Sequence, residues 1–294
     1  MLREATRLIS HSYGYARPSY HRAVKFDGAV AVVTGAGGGI GSALGERFHA
    51  AGATVVLSDR AQAPLAALAA RLNAVRPGSA HAVVADLSRE EENERLVREA
   101  RGLAGRIDLF FANAGVAMGG DLSATEDEWN TSFAINVHAH RWAAKYLLPE
   151  WLAAGGGYFA STASAAGVLA QIGSAPYSVT KHAAVAFAEW LSITYGSRGV
   201  KVSCLCPQGV NTAMLRGGDQ PAASNQPNGG NVVRAVGAVL EPAQVADVVH
   251  DALVEGRFFI FPHPEVADYA KLKANEHERW LGGMRKLQRR VFGV

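Results

Sequence analysis

Tyr177 and Lys181 stand four residues apart, so on a helix their side chains are neighbours on one face. An ammonium beside a phenol stabilises the phenolate and lowers the phenol pKa from about 10 towards the working range. A tyrosine so placed passes a proton to or from an oxygen at neutral pH. Ser164 lies thirteen residues before Tyr177, after an apolar run that reads as a strand end, and its hydroxyl can donate to the same substrate oxygen. Taken alone, Tyr-x-x-x-Lys far better describes a buried tyrosine and an exposed lysine on an ordinary helix. The elements around it give the chemical reading its weight.

Those elements alternate. Ala29–Val33 is a short apolar run suited to a strand buried on both faces, and it enters Thr34-Gly-Ala-Gly-Gly-Gly39-Ile-Gly41 before a helical pattern through Phe48. Strand, glycine turn and helix cradle a dinucleotide pyrophosphate: the glycines allow close approach and the helix N-terminus offers N–H groups and partial positive charge. Gly35, Gly38, Gly39, Ile40 and Gly41 are the contact candidates. The next strand, 54–58, ends at Asp59, eighteen residues after Gly41. A carboxylate there accepts the adenosine ribose hydroxyls and repels a 2′-phosphate, favouring NAD over NADP, although the adjacent Arg60 could pair with such a phosphate. Strand 81–85 leads to Asp86-Leu87, placed for the adenine edge or a plain surface turn. Strand 107–111 leads to Asn113-Ala114-Gly115, where the crevice of a doubly wound sheet lies.

A helix is expected over 126–152, carrying Asn136 either as a cap for a bent segment or as a polar group aimed at the site. Strand 156–161 delivers Ser164, a helix runs from Tyr177, and strand 200–206 ends in Pro207-Gln-Gly209-Val210-Asn-Thr212. Residues 213–240 are rich in Gly, Pro and Asn and read as a substrate lid or a surface loop. A helix at 242–255 and a strand at 257–261 close the body. The tail, 263–294, places Trp280, Met284, Leu287 and Val291 at helical spacing among basic residues, an amphipathic helix that packs on its own domain or on a partner subunit.

Composition bounds the function. The 294 residues carry a formal charge of only +3; residues 1–25 hold a net +4 and the remaining chain −1, so no nucleic-acid groove is implied. Residues 1–24 read as a flexible N-terminal extension, either an arm on a neighbouring subunit or a start codon placed too early; their Arg-rich, acid-poor make-up resembles a transit peptide, but Gly14 and Pro18 break the helix. No apolar run approaches roughly 20 residues, so no membrane span is expected. The two cysteines, Cys204 and Cys206, share a strand face as core thiols, which fits a cytoplasmic setting, and no Cys or His spacing reads as a metal site.

In Thr34-Gly-x-x-x-Gly39-Ile-Gly41, Asp86-Leu87, Asn113-Ala-Gly115, Asn136, Ser164, Tyr177-x-x-x-Lys181 and Pro207 through Thr212, the chain closely resembles the short-chain dehydrogenase/reductase family over residues 26–262. Ala112 stands where that family usually has Asn, and Gln208 where it has Gly directly after the proline, while Val210 and Thr212 stay in register. The resemblance implies an α/β fold: a doubly wound (Rossmann) seven-stranded parallel sheet with helices on both faces, over residues 25–262. It implies hydride transfer between a nicotinamide and a carbonyl or alcohol carbon. By the same resemblance Tyr177 transfers the proton, Ser164 holds the substrate oxygen and Lys181 binds the nicotinamide ribose. Asn136 holds a water linking Lys181 to solvent, and Thr212 with the Val210 backbone fixes the carboxamide.

The function expected is NAD-dependent interconversion of a secondary alcohol and a ketone. Val116, Leu169, Gln171 and Met214, with Met118 and Leu215, are expected to line a site for a bulky uncharged substrate. Carrier-linked oxoacyl reduction with NADP and a non-catalytic dinucleotide sensor are the rival readings. Family habit implies a homodimer or homotetramer built on the helices at 126–152 and 177–197.

Overall fold

The computed structural model describes residues 24–217 and 237–293. Strands β1 (Val30–Thr34), β2 (Thr54–Asp59), β3 (Ala80–Val84), β4 (Leu109–Ala112), β5 (Gly157–Thr162), β6 (Val200–Leu205) and β9 (Phe259–Ile260) form one sheet in the order β3-β2-β1-β4-β5-β6-β9. Every pairing in it is parallel. A second ribbon pairs β7 (Gly209–Val210) with β8 (Val239–Leu240).

Successive strand residues point to opposite faces, and both faces are covered. Ala31, Val33, Val55, Leu57, Leu109 and Phe111 pack against α1 (Gly39–Ala50), α2 (Gln62–Val75) and α8 (Pro242–Glu255). Val32, Val56, Phe110 and Phe159 pack against α3 (Glu90–Ala104), α5 (Ala139–Ala153) and α6 (Ala175–Tyr195). That double burial is why the strands read as unbroken apolar runs. Fully buried Phe111 alone gives about 1.5–3 kcal/mol of apolar burial.

The expected seven-stranded, doubly wound fold is present, with shifts at its edges. β9 is two residues long rather than five, because only Phe259 and Ile260 find partners, Cys204 and Leu205, on the edge of β6. The helix expected over 126–152 is interrupted: α4 (Glu126–Phe133) passes through a π-helical turn at Ala134–His138 into α5. α6 begins two residues before Tyr177, with Pro176 in its first turn, where a missing N–H costs nothing. The tail forms two helices, α9 (Glu265–Asn275) and α10 (His277–Phe292), separated at Glu276, and Trp280 is buried. The expected extension at 1–24 lies outside the described residues except Val24, whose N–H donates to Leu253 O. Of the expected lid, only α7 (Ala213–Gly217) and residues 237–240 are described.

Strand order runs outward from β1 in one direction through β2 and β3, and in the other through β4, β5, β6 and β9. The crevice between β1 and β4, at their carboxyl ends, is where such a sheet receives its ligand.

Candidate active site

Threonine and asparagine side chains fix the floor of that crevice. Thr34, at the end of β1, accepts at Oγ1 from the N–H groups of Asn113 (2.9 Å) and Ala114 (3.0 Å). Asn113 Nδ2 donates to Thr34 O at 3.0 Å and its Oδ1 accepts from Thr162 Oγ1 at 2.9 Å, so one amide ties together the ends of three strands.

The glycine turn sits on this floor. A Cβ at Gly41 would lie 2.0 Å from Gly35 O, so glycine there permits helix α1 to start against the strand. Gly37 N–H donates to Asp59 Oδ2 at 3.0 Å, and Asp59 Oδ1 also accepts from Ala61 N–H at 2.9 Å. α1 has no side-chain cap and no acidic residue in its first turn, which leaves its terminal N–H groups and positive dipole end without an internal anion. At Gly38 a Cβ would meet nothing within 4 Å, which marks open space beside the turn. These features fit a dinucleotide: a bare helix N-terminus for pyrophosphate and a carboxylate at the end of β2 for ribose.

The proton-transfer groups stand at the other end. Ser164 follows β5; its Oγ accepts from Ala166 N–H at 3.1 Å and caps a short turn over Ala165–Gly167. A Cβ at Gly167 would come 2.5 Å from Lys181 O, so this turn packs directly on α6. Lys181 Nζ is buried and donates to Thr162 O at 3.0 Å. Burial lowers its pKa to about 8. Burial pushes the Tyr177 phenol above its ordinary value, the Ser164 hydroxyl pulls it back, and Cys206 adds an upward push. The expectation of a phenol pKa below its ordinary value is therefore corrected: in the folded chain burial holds it above. The ammonium is bonded to a strand carbonyl, its centre 5.6 Å from the Tyr177 ring centroid, and its own charge is disfavoured by burial. Neutral His140, pushed down to about 3 mainly by burial and further by Lys181, adds no second cation.

Asn136 lies in the π-helical turn. Its Oδ1 accepts from Val116 N–H and its Nδ2 donates to Val116 O, both at 2.9 Å, and Nδ2 also reaches Thr180 Oγ1 at 3.0 Å. The helix is deformed there as one alternative expected, but the amide caps no helix end, and it is buried on Val116 and Thr180 without lining the cavity. Such turns recur at functional positions.

A cavity of about 1000 Å³ joins the two ends. Gly35, Gly38, Gly39, Ile40, Asp59, Asn113, Ala114, Gly115, Ser164, Gln171, Tyr177, Lys181, Pro207, Val210, Thr212, Met214 and Leu215 line it. An adjoining cleft of about 160 Å³ holds Arg60, Asp86, Leu87 and Val116. Val116 thus lies on the side of the acidic strand ends, held there by Asn136, rather than beside the substrate residues. Leu169 and Met118 line neither space; the Leu169 carbonyl is turned to Lys273. Gly41 is structural, and Gly209 belongs to β7.

Several residues escaped the sequence reading. Thr162 was legible only as a strand residue, and Glu128 lines the cavity while closing a capping box with Thr125, a T-x-x-E pattern visible in the chain. Buried His263 connects segments far apart: Nδ1 accepts from Gln208 N–H at 3.2 Å, and Nε2 donates to Gly209 O at 3.1 Å and Ala238 O at 3.2 Å. Nothing local in His-Pro-Glu announces that role. Cys204 and Cys206 are buried free thiols with sulfurs 3.9 Å apart. No group of three His, Cys, Asp or Glu among the described residues is placed to hold a metal ion.

The family model for short chain dehydrogenases matches residues 29–222, the whole span from the glycine turn to beyond Thr212. The chain belongs to the short chain dehydrogenase family. It is similar to meso-2,3-butanediol dehydrogenase of Serratia marcescens, at 34% identity over 77% of this chain and 87% of the relative. It is also similar to 1-deoxy-11-beta-hydroxypentalenate dehydrogenase of Streptomyces exfoliatus, at 37% identity over 80% and 83% of the two chains. A crystal structure of a short chain dehydrogenase/reductase from Burkholderia phymatum in complex with NAD superposes with a TM-score of 0.78 at 29% identity, covering 87% of this chain and 96% of that one. Like other short chain dehydrogenases the protein is an oxidoreductase acting on CH–OH groups. No helix among the described residues is long and apolar enough to cross a membrane.

Proposed function

We propose that the protein interconverts a secondary alcohol and a ketone with NAD. One observation carries the reading: Ser164, Tyr177 and Lys181 open onto the same cavity as the bare N-terminus of α1 and the Asp59 carboxylate. When bound, the nicotinamide supplies the hydride acceptor or donor. Tyr177 Oη exchanges the proton of the substrate hydroxyl, Ser164 Oγ orients that oxygen, and Lys181 supplies positive charge as phenolate character develops. Asn136 sets the Val116 peptide and Thr180 behind Lys181. Thr212 and Val210 close the nicotinamide end.

Asp59 supports NAD, since its carboxylate faces the place a 2′-phosphate would occupy. The NAD complex of the Burkholderia relative agrees with that choice. Arg60 in the adjoining cleft is the one observation favouring NADP. Gln171, Met214 and Leu215 give the substrate end an apolar wall with one amide, suited to a bulky uncharged alcohol. Exposed Val179, Trp190 and Ile193 on α6 support a homodimer or homotetramer, and two free thiols suit a reducing, cytoplasmic setting.

The test is NADH appearance across a panel of secondary alcohols, with NAD and NADP side by side, for wild type and Tyr177→Phe. Turnover with NAD is expected, falling by about 10²–10⁴-fold in the variant while NADH still binds. Retained activity in Tyr177→Phe would remove the assignment.

A further inference from the structure

The tail helices α9 and α10 lie beyond the 29–222 span of the family match, yet one of their side chains reaches the turn that leads into cavity residue Gln171. Lys273, in the last turn of α9, donates to Val168 O at 2.9 Å and to Leu169 O at 3.0 Å, across more than a hundred residues of chain. The same ammonium meets Nε2 of His182 at 3.2 Å. That contact requires the neutral imidazole with its proton on Nδ1, and Nδ1 is indeed 2.8 Å from Ser178 O, where it donates. Ser178 Oγ in turn accepts from Gln171 N–H at 2.7 Å and donates to Gln171 O at 3.1 Å. The circuit runs from the tail to α6 and back to the segment after Ser164.

Ala170 lies between the held ends. Its φ of 142° makes it the one non-glycine residue with positive φ among the described residues. L residues avoid that backbone region, and it persists where surrounding contacts over-determine it. Here the contacts are the Lys273 bonds on one side and the Ser178 exchange on the other. Gln171, the next residue, lines the cavity.

Lys273 is placed for this and for little else. No carboxylate among the described residues pairs with it, and the buried Trp280 ring of α10 lies 5.2 Å from its ammonium. Three acceptors and an aromatic face replace its hydration.

We infer that Lys273 is a positioning residue for the substrate end of the site, clamping the strained 168–171 turn so that Gln171 faces the cavity. The inference rests on the alcohol-oxidoreductase reading for its kinetic consequence but not for the clamp itself. It makes the C-terminal helices a determinant of substrate fit rather than an appendage.

The experiment compares wild type, Lys273→Met and Lys273→Met/Ala170→Gly, all as the full chain. Three quantities are read: steady-state kinetics on the best alcohol of the panel, NADH affinity, and amide hydrogen exchange over residues 168–171. Lys273→Met is expected to raise KM about tenfold, the scale of one or two lost charge-assisted hydrogen bonds, with kcat and NADH affinity held. Exchange in the turn should accelerate, and glycine at 170, which is at ease at positive φ, should return KM towards wild type. Unchanged KM or unchanged exchange would overturn the inference. So would a joint loss of kcat and NADH affinity, which marks general damage, or a double variant with no recovery. If wild type oxidises no alcohol, the functional reading fails separately, and exchange alone decides the clamp: acceleration upholds it and no change removes it.

Discussion

Lys181 Nζ donates to Thr162 O at 3.0 Å while standing 5.6 Å from the centre of the Tyr177 ring, so strand β5 and not the phenol fixes the ammonium.

Burial holds the folded-state pKa of Lys181 at about 8, below the ordinary 10.5. Between those values the unfolded chain binds a proton that the folded chain has released, so stability rises with pH there. The contribution is complete above about 10.5 and lost as pH falls through about 8; at about 1.36 kcal/mol per unit it amounts to ~3 kcal/mol. Urea unfolding at two pH values within and below that window should show the slope in wild type and a flatter one in Lys181→Met. Equal slopes would count against a buried, titrating lysine.

The Ser164 hydroxyl is the group that draws the Tyr177 pKa down against burial. Ser164→Ala should therefore move the pH profile of alcohol oxidation to higher pH, with a loss of about 10²–10³-fold in kcat from the missing oxygen donor. A profile in the wild-type position would show that Ser164 does not tune the phenol.

Asp59 receives Gly37 N–H and faces the cavity. Asp59→Ser removes the repulsion of a 2′-phosphate and leaves Arg60 free to attract one. The NAD-to-NADP ratio of kcat/KM should fall by about 10²-fold, with NADPH fluorescence titration giving the parallel change in affinity. An unaltered ratio would place cofactor choice elsewhere.

His263→Leu leaves Gln208 N–H and the carbonyls of Gly209 and Ala238 without their partner. Each buried unsatisfied group costs about 1–3 kcal/mol, so Tm should drop by several degrees and NADH should bind more weakly. Wild-type NADH affinity would mean that His263 supports stability alone.

The sheet and the dinucleotide end were legible because their signals are local. Strands buried on both faces read as Val- and Phe-rich runs, and the glycine turn follows one of them directly. Asn136 was visible as a misfit inside a helix, but the π-helical turn that resolves the misfit has no sequence pattern of its own. The substrate end was harder. It is built by irregular segments at 117–120 and 171–174, whose small residues carry no period, so Val116 and Leu169 were placed in a wall they do not form. His263 and Lys273 act across tens to more than a hundred residues, and only the folded chain brings them to the backbone of the segments that border the site.

Gly209–Val210 and Val239–Leu240 lie side by side, and His263 pins both banks of that ribbon. The chain between them therefore leaves and returns at one fixed gate. Met214 and Leu215, at its entrance, already face the cavity. The paired ends, and not the length of what joins them, therefore set where Val210 and Leu240 stand.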